Sequence, residues 1–239
     1  SSLLDLGIYT HGGHIDDDRA HLLKRVMTFV YVSMDECTPE AYKKHKGVNR
    51  FEQVCEGVCR LTIATGKATI GIGFLLHPGN VDDVDRMVRW GRKLGVDYVQ
   101  FRPTVNYDHE APGQLVEDTT WINYAITNLR RYAGDSFVQA DPRRFEMYRD
   151  WRSHGYDTCY WSAMQTVISP NGKVWRCTNK RGYPTGYLGD LTQESFSELW
   201  QRAGGPCAVD SQCRILCRGH IANLTLDAIM TEPDHAKFI

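Results

Sequence analysis

Short apolar runs alternate with amphipathic stretches along the first half of the chain. The apolar runs are rich in β-branched and aromatic residues, which is typical of strands buried on both faces. The stretches between them begin with acidic or capping residues and often end at glycine, which predicts helices. The predicted strands are LLDLGIYT, TFVYVSMD, ATIGIGFLL and GVDYVQFRP, and the predicted helices are DDDRAHLLKRV, TPEAYKKHKG, FEQVCEGVCRLTIAT and NVDDVDRMVRWGRKLG.

This β/α alternation with short connections requires parallel pairing of the strands. It is compatible with a doubly wound sheet and with part of a (β/α) barrel, and the pattern alone leaves both open. Two further predicted helices, TTWINYAITNLRRYA and PRRFEMYRDWR, follow a polar loop that contains two prolines.

The pattern changes in the last third of the chain. QTVISPNGKVWRC has two short apolar runs on either side of Pro-Asn-Gly, which predicts a hairpin. LTQESFSELWQRA and CRGHIANLTLDAIM predict two short helices, the second beginning at the last cysteine. We therefore expect two modules, an α/β unit at 1–140 and a small α+β unit at 141–239.

Composition narrows the class of protein. A chain of 239 residues, 42% hydrophobic and 24% charged, can bury one good core or two modest ones. A net charge of -1 leaves no basic footprint for nucleic acid, and no window approaches the ~20 apolar residues of a membrane span. The first residues lack the features of a secretory signal, so we expect a cytoplasmic protein without nucleic-acid or membrane partners.

Five of the eight cysteines lie close together near the carboxy terminus. In a reducing compartment such a group indicates metal binding or catalysis, and disulfides are not expected. The hairpin brings two of them to one end, and two more, four residues apart, are predicted to share one face of a helix start. Thiolates so placed suit a [4Fe-4S] cluster or a zinc ion, and the lack of paired CxxC knuckles favours iron. The five are Cys159, Cys177, Cys207, Cys213 and Cys217.

A second cysteine pair, CEGVC, has the same spacing but a different context. Cys55 and Cys59 lie inside a predicted helix, and the third cysteine of a CxxxCxxC motif would fall at Thr62. We therefore expect this pair to pack in the core.

The carboxy-terminal cysteines resemble those of the radical S-adenosylmethionine (SAM) superfamily, specifically its members with a SPASM or twitch auxiliary-cluster module. That module begins with a cysteine, a spacer of about nine to fifteen residues, a glycine, four residues and a second cysteine. Cys159, Gly172 and Cys177 fit this first half.

The second half of the module, CxxCx5CxxxC followed by a final cysteine, is matched only in part. Cys207, Cys213 and Cys217 fit, Gly204 stands where the first cysteine would be, and no cysteine follows Cys217. The resemblance therefore implies one auxiliary [4Fe-4S] cluster. Its implied ligands are Cys159, Cys177, Cys217 and Cys213, with Cys207 as the alternative fourth ligand.

The first half resembles strands three to six of the TIM-like partial (β/α) barrel of that superfamily. GIYTHGG is similar to the third-strand segment usually written TNG, with His11 in place of asparagine, and VYVSMDECTPEAYKKHKG is similar to the fourth strand and its helix. The resemblance implies contacts with SAM. The implied cofactor-binding residues are Thr10, Ser33, Asp35 and Arg102.

Other residues near the predicted strand ends have open alternatives. Arg102 is expected at the carboxy-terminal mouth, where it binds the cofactor or an anionic substrate group, or else serves as an ordinary ion-pair partner. His77 is expected to be structural. Tyr107, Asp108 and His109 are weaker candidates for contact with substrate.

The catalytic motifs of the superfamily, CxxxCxxC and a GGE-like segment, do not occur in this sequence. Our first expectation is the carboxy-terminal part of a radical SAM enzyme, with the first two strands on a missing amino-terminal segment or a second chain. Such an enzyme uses a 5'-deoxyadenosyl radical to abstract hydrogen from a small-molecule or peptide substrate, with flavodoxin or ferredoxin as reductant. The alternative is a non-catalytic iron-sulfur or zinc module with a binding or electron-transfer role.

Overall fold

The computed structural model describes residues 4–104, 119–150, 153–213 and 217–231, which form two compact units. The first unit contains residues 4–104 and 119–149, and the second contains the remaining described residues. No helix in the described parts of the chain is long and apolar enough to span a membrane.

Five parallel strands form the sheet of the first unit, and each pairs with the strand that follows it in the chain. A doubly wound sheet reverses its strand order at a switch point, whereas this order runs in one direction, as in a (β/α) barrel. The predicted partial barrel is therefore confirmed. The strands are β1 (Gly7–Thr10), β2 (Phe29–Ser33), β3 (Thr69–Leu76), β4 (Tyr98–Pro103) and β5 (Val138–Ala140).

The helices of this unit lie between and after the strands, as the sequence predicts. The first two are capped by Asp16, in the predicted acidic start of α1, and by the predicted cap Thr38; both side chains accept backbone N–H groups of the first turn. The helices are α1 (Asp17–Val26), α2 (Pro39–Lys46), α3 (Phe51–Ile63), α4 (Val84–Leu94), α5 (Thr120–Arg130) and α6 (Pro142–Arg149). Because α6 packs with α5, the first compact unit extends to Arg149. The boundary that the sequence predicts between the two modules, at residue 140, remains a prediction.

The sequence suggested that Asn80 caps α4, but the structure shows that it does not. It precedes a 3₁₀ turn, Val81–Asp83, and its side chain is buried. The amide donates hydrogen bonds of 2.9 Å to the carbonyls of Asp35 and Leu75, and its oxygen accepts the His77 backbone N–H at 2.8 Å. Asn80 therefore ties the carboxyl end of β2 to that of β3.

The two faces of the sheet differ in character. Alternate residues of β2 and β3, such as Val30 and Ile72, are fully buried in the core. On the opposite face, a Cβ at Gly73 would lie 1.9 Å from the Tyr31 hydroxyl, and one at Gly71 would lie 2.1 Å from the Tyr98 ring. These glycines allow the two tyrosines to lie across β3.

The second unit is built from short elements around a small core. Val174, Leu188 and Leu199 are its buried centre. A hairpin turn with Gly172 in the left-handed region (φ 81°) joins the first two strands of the three-stranded sheet, as predicted. The elements are β6 (Thr158–Cys159), β7 (Val167–Ile168), β8 (Lys173–Trp175), β9 (Tyr187–Asp190), α7 (Phe196–Ala203), β10 (Cys207–Ala208) and α8 (His220–Thr231).

The last helix begins later than the sequence suggested. α8 starts at His220, whose backbone N–H donates to the Cys217 carbonyl at 3.0 Å. Cys213 lies in a turn, where its N–H donates to the Asp210 carbonyl at 2.9 Å. The prediction that Cys213 and Cys217 share one face of a helix start was therefore wrong.

Candidate functional site

Five cysteines of the second unit line a single cavity. Two of them are brought together by strand pairing, since β10 runs antiparallel to β6 with Cys207 directly opposite Cys159. Of the other three, Cys177 follows β8, Cys213 follows β10 and Cys217 precedes α8. Each cysteine is half-buried. The five are Cys159, Cys177, Cys207, Cys213 and Cys217.

A buried asparagine of α8 holds the segment that carries Cys159. Asn223 is fully buried; its side chain accepts the Trp161 backbone N–H at 2.9 Å and donates to the Thr158 carbonyl at 2.9 Å. Ser162 closes the same loop by hydrogen bonds to the carbonyls of Cys159 (2.7 Å) and Gly205 (2.8 Å). Cys159 is thus positioned by backbone contacts that do not use its thiol.

Two cationic side chains also line the cysteine cavity. Lys180 is only 3% exposed; its Nζ donates to the Asp210 carboxylate at 2.8 Å and the Ala208 carbonyl at 3.3 Å. Arg176 donates to the carbonyls of Gly205 (2.8 Å) and Ala203 (3.1 Å). Positive charge at this position favours anionic sulfur ligands.

The thiols of Cys159 and Cys207 are hydrogen-bonded to each other. The hydrogen bond from Cys159 is the main cause that lowers the pKa of Cys207, and Ser162, Lys180 and Arg176 lower it further against the opposing effect of burial. The same hydrogen bond, followed by burial, raises the pKa of Cys159 far above its ordinary value. Metal binding at this pair would release the proton of that hydrogen bond.

The thiol of Cys213 and the polar rings beside the cavity are kept neutral by burial. Burial raises the pKa of Cys213, and it raises the pKa of Tyr156, with the neighbouring thiols adding to the effect. Burial, followed by the nearby His154, lowers the pKa of His220. The Tyr156 hydroxyl and His220 Nδ1 are hydrogen-bonded at 3.1 Å. The positive charge at the cavity therefore comes from the Lys180 and Arg176 side chains.

The residues implied as SAM contacts lie at the carboxyl ends of β1, β2 and β4 in the first unit. Thr10 accepts the Gly12 backbone N–H at 3.1 Å. Asp35 is 6% exposed and has a positive φ of 61°; its carboxylate accepts from Ser33 at 3.0 Å and from the Leu75 N–H at 3.0 Å, and pairs with Lys46. These contacts are structural, and SAM binding by Thr10, Ser33 and Asp35 stays a prediction.

Arg102 has a partly free guanidinium. One terminal nitrogen donates to the Tyr31 hydroxyl at 2.8 Å, and the guanidinium carbon lies 5.2 Å from the centre of the Tyr31 ring. Burial raises the pKa of Tyr31 to about 12, so this hydroxyl is neutral at physiological pH. Arg102 Nε is buried and has no hydrogen-bond partner among the described residues. An anionic group could therefore still bind here.

The remaining sequence candidates divide into three cases. Cys55 and Cys59 lie on α3 but are only half-buried, so they border the core that Val54 and Val58 form, and burial raises the pKa of Cys55 to about 12. His77 contacts Glu36, a contact that the sequence gave no reason to expect. Tyr107, Asp108 and His109 fall outside the described residues.

The sequence does not reveal three features of the cysteine site. Lys180 and Asn223 are buried polar residues, but the sequence around them is typical of an ordinary loop and an ordinary helix. Nothing in it predicts their burial. Cys207 ranked only as an alternative ligand because its pairing with Cys159 depends on strand register, which spacing does not reveal.

The donor set fits an iron-sulfur cluster, since five thiols and two cations surround one cavity. Comparison with protein families agrees: residues 159–204 match the SPASM iron-sulfur cluster-binding domain. This match confirms the prediction of an iron-sulfur module.

Known relatives extend the likeness to the first unit. The chain is 25% identical over 256 aligned positions to a PqqA peptide cyclase from Streptomyces rochei, covering 95% of this chain and 67% of the relative. Among solved structures, native anSMEcpe with bound AdoMet and Kp18Cys peptide has a TM-score of 0.60 at 18% identity, covering 82% of this chain and 56% of that one. Streptococcus suis SuiB bound to S-adenosylmethionine has a TM-score of 0.55 at 9% identity, covering 81% and 47%.

The chain thus spans about half the length of the solved structures that share its fold. The order of its strands, the SPASM domain and the curated relative all agree with the resemblance that the sequence motifs carry. The chain is similar in sequence and fold to members of the radical S-adenosylmethionine superfamily, and its residues 159–204 match the SPASM domain.

Proposed function

We propose that this chain supplies the auxiliary-cluster module and the later barrel strands of a radical SAM enzyme that acts on a peptide. The observation that carries the proposal is the convergence of five thiols and two cationic side chains on one cavity of the second unit. A cluster in that cavity accepts or donates electrons when bound. The residues of the chain hold it, shield it and set its charge environment.

The ligand set that we propose contains Cys159, Cys177 and Cys217, with one of the two remaining cysteines. Sequence spacing favoured Cys213. The register of β10 supports Cys207 instead, since it stands directly opposite Cys159 and carries the depressed thiol pKa. Cys213 keeps a weak contact of 3.8 Å with Asp210 and has a raised pKa, so its thiol favours the neutral form.

A peptide substrate is supported by the relatives, because one is described as a peptide cyclase and a structural neighbour is described with a bound peptide. In the first unit, the buried Nε of Arg102 is the feature best suited to an anionic group, such as the carboxylate of SAM or of the peptide. A flavodoxin- or ferredoxin-type reductant and a cytoplasmic location remain predictions.

Anaerobic reconstitution with iron and sulfide tests the proposal directly. We expect about four iron and four sulfide ions per chain, as one [4Fe-4S] cluster requires. Zinc near one ion per chain, with no iron uptake, would support the alternative of a zinc-binding module and contradict the redox role. The chain by itself is expected not to cleave SAM, because its sequence contains no CxxxCxxC motif.

Lys180→Met is expected to make the reconstituted cluster harder to reduce. Lys180 brings a buried positive charge to the cavity, and removing that charge disfavours the added electron, so the reduction potential becomes more negative. The measurement is a redox titration followed by EPR, with Lys180→Arg as the control that keeps the charge. An unchanged potential in Lys180→Met at full iron content would show that Lys180 does not act on the cluster.

A further inference from the structure

A buried carboxylate in the first unit is surrounded by two imidazole rings. Glu36 follows β2, its side chain is 1% exposed, and its Oε1 contacts His45 Nδ1 and lies 3.2 Å from His77 Nε2. His45 lies in the last turn of α2, and His77 follows β3. Three separate elements thus place one ligand atom each within 4.8 Å of one another.

We propose that Glu36, His45 and His77 bind one Zn²⁺ ion. A carboxylate with two imidazoles is a zinc ligand set that leaves a fourth position for water. Bonds of about 2.0 Å to a tetrahedral ion place neighbouring ligand atoms roughly 3.3 Å apart. The separation of 3.2 Å between His77 Nε2 and Glu36 Oε1 matches that spacing.

The charge balance around Glu36 supports a cation. Its neighbour Asp35 is neutralised by Lys46, but the ion-pair partners of Glu36 within the described residues are the two histidines. A buried carboxylate needs a compensating positive charge. Zinc supplies that charge and uses the same three atoms.

Buried hydrogen bonds hold two of the three ligands in place, and the two histidines leave the site open to solvent. Asn80 fixes the ends of β2 and β3 by its buried hydrogen bonds, which holds Glu36 and His77 in register. The side chains of His45 and His77 are 33% and 22% exposed, so an ion reaches the site from that side.

Zinc binding requires a change of tautomer at both histidines. At His45, Nδ1 donates its proton to the Glu36 carboxylate without metal, and that proton moves to Nε2 when zinc takes Nδ1. His77 changes in the opposite sense. The Gly79 backbone N–H donates to His77 Nδ1 at 3.0 Å, so without metal the ring proton is on Nε2 and faces Glu36. When zinc takes Nε2, the proton moves to Nδ1 and the Gly79 N–H turns to water. Gly79 lies in an exposed turn, which makes this rearrangement local.

The first test counts zinc ions. Thiolates also bind Zn²⁺, so reduced, metal-free protein is titrated with ZnCl₂ and the final zinc content is compared between variants. We expect His45→Ala/His77→Ala to bind one zinc ion fewer per chain than the wild type. His21→Ala, which removes an exposed histidine of α1, should bind as much as the wild type. Equal zinc content in the double variant and the wild type would overturn the proposal.

The second test uses the folded wild-type protein, so it does not depend on whether the double variant folds. Nitrogen NMR of the histidine rings should show a change at His45 and His77 when Zn²⁺ is added, with the His77 proton moving to Nδ1. The single variants His45→Ala and His77→Ala assign the signals. If both rings keep their metal-free signals at saturating zinc, or carry two protons each at neutral pH, no zinc site exists here. Neither test involves the iron-sulfur cluster, so the zinc proposal can fail or hold independently of the proposed function.

Discussion

Cys159→Ala/Cys177→Ala is expected to reduce the iron content of the reconstituted protein to background. The two cysteines lie on either side of the hairpin, one in β6 and one two residues after β8, and both line the cavity. Without them three thiols remain, on β10 and on the segments leading to α8, and the hairpin side of the cavity has no anionic ligand. Iron and sulfide assays with the visible absorption of the cluster make the measurement.

The matched control is Cys55→Ala/Cys59→Ala. This pair lies on α3 of the first unit, outside the cavity, so its removal should leave iron uptake unchanged. Circular dichroism establishes that both double variants are folded. Full iron content in the Cys159/Cys177 variant, or its loss in the control, would refute the ligand assignment.

Single variants separate the two candidates for the fourth ligand. We expect Cys207→Ala to lose more iron than Cys213→Ala, because only Cys207 is paired with Cys159 by strand register. A greater loss in Cys213→Ala would instead support the assignment that sequence spacing favoured.

Gly219→Ala is expected to destabilise the cysteine cavity by about 1–3 kcal/mol, the usual cost of overpacking a buried site. Gly219 is buried, and a Cβ there would lie 2.0 Å from Cδ1 and 2.3 Å from Cγ of the Trp161 ring. Gly219 lies two residues after Cys217, and Trp161 lies two residues after Cys159. Pushing the ring away therefore separates the segments that carry two proposed ligands.

The expected result is a lower midpoint of thermal unfolding for the second unit together with reduced iron uptake. Trp161→Leu in the Gly219→Ala background serves as the control, because a smaller side chain makes room for the added methyl group. The two substitutions should be less destabilising together than the sum of their separate effects. Purely additive effects would show that the methyl group and the ring do not meet.

Much of the architecture follows from local sequence patterns. The alternation of buried strands with capped helices predicts the parallel sheet, and the Pro-Asn-Gly turn predicts the hairpin. The cysteine and glycine spacing carries the resemblance to the SPASM or twitch module, because those residues are close in sequence and belong to one supersecondary unit. Such features depend on neighbours within a few residues, which a single sequence records directly.

Short or late elements were harder to predict. β5 has only three residues, Val138–Ala140, and is a strand because β4 offers it a partner. The start of α8 at His220 depends on the turn after Cys217, where helix propensity gives no sharp boundary.

The sequence by itself determined the α/β class of the first unit, the hairpin and the presence of a metal-binding cysteine module. Only the tertiary structure decided that Cys207 stands opposite Cys159, that Lys180 and Asn223 are buried beside the thiols, and that Glu36 meets two histidines. Each of these depends on which strands pair and in what register. Long-range pairing is the result of the whole chain packing at once, so no local pattern contains it.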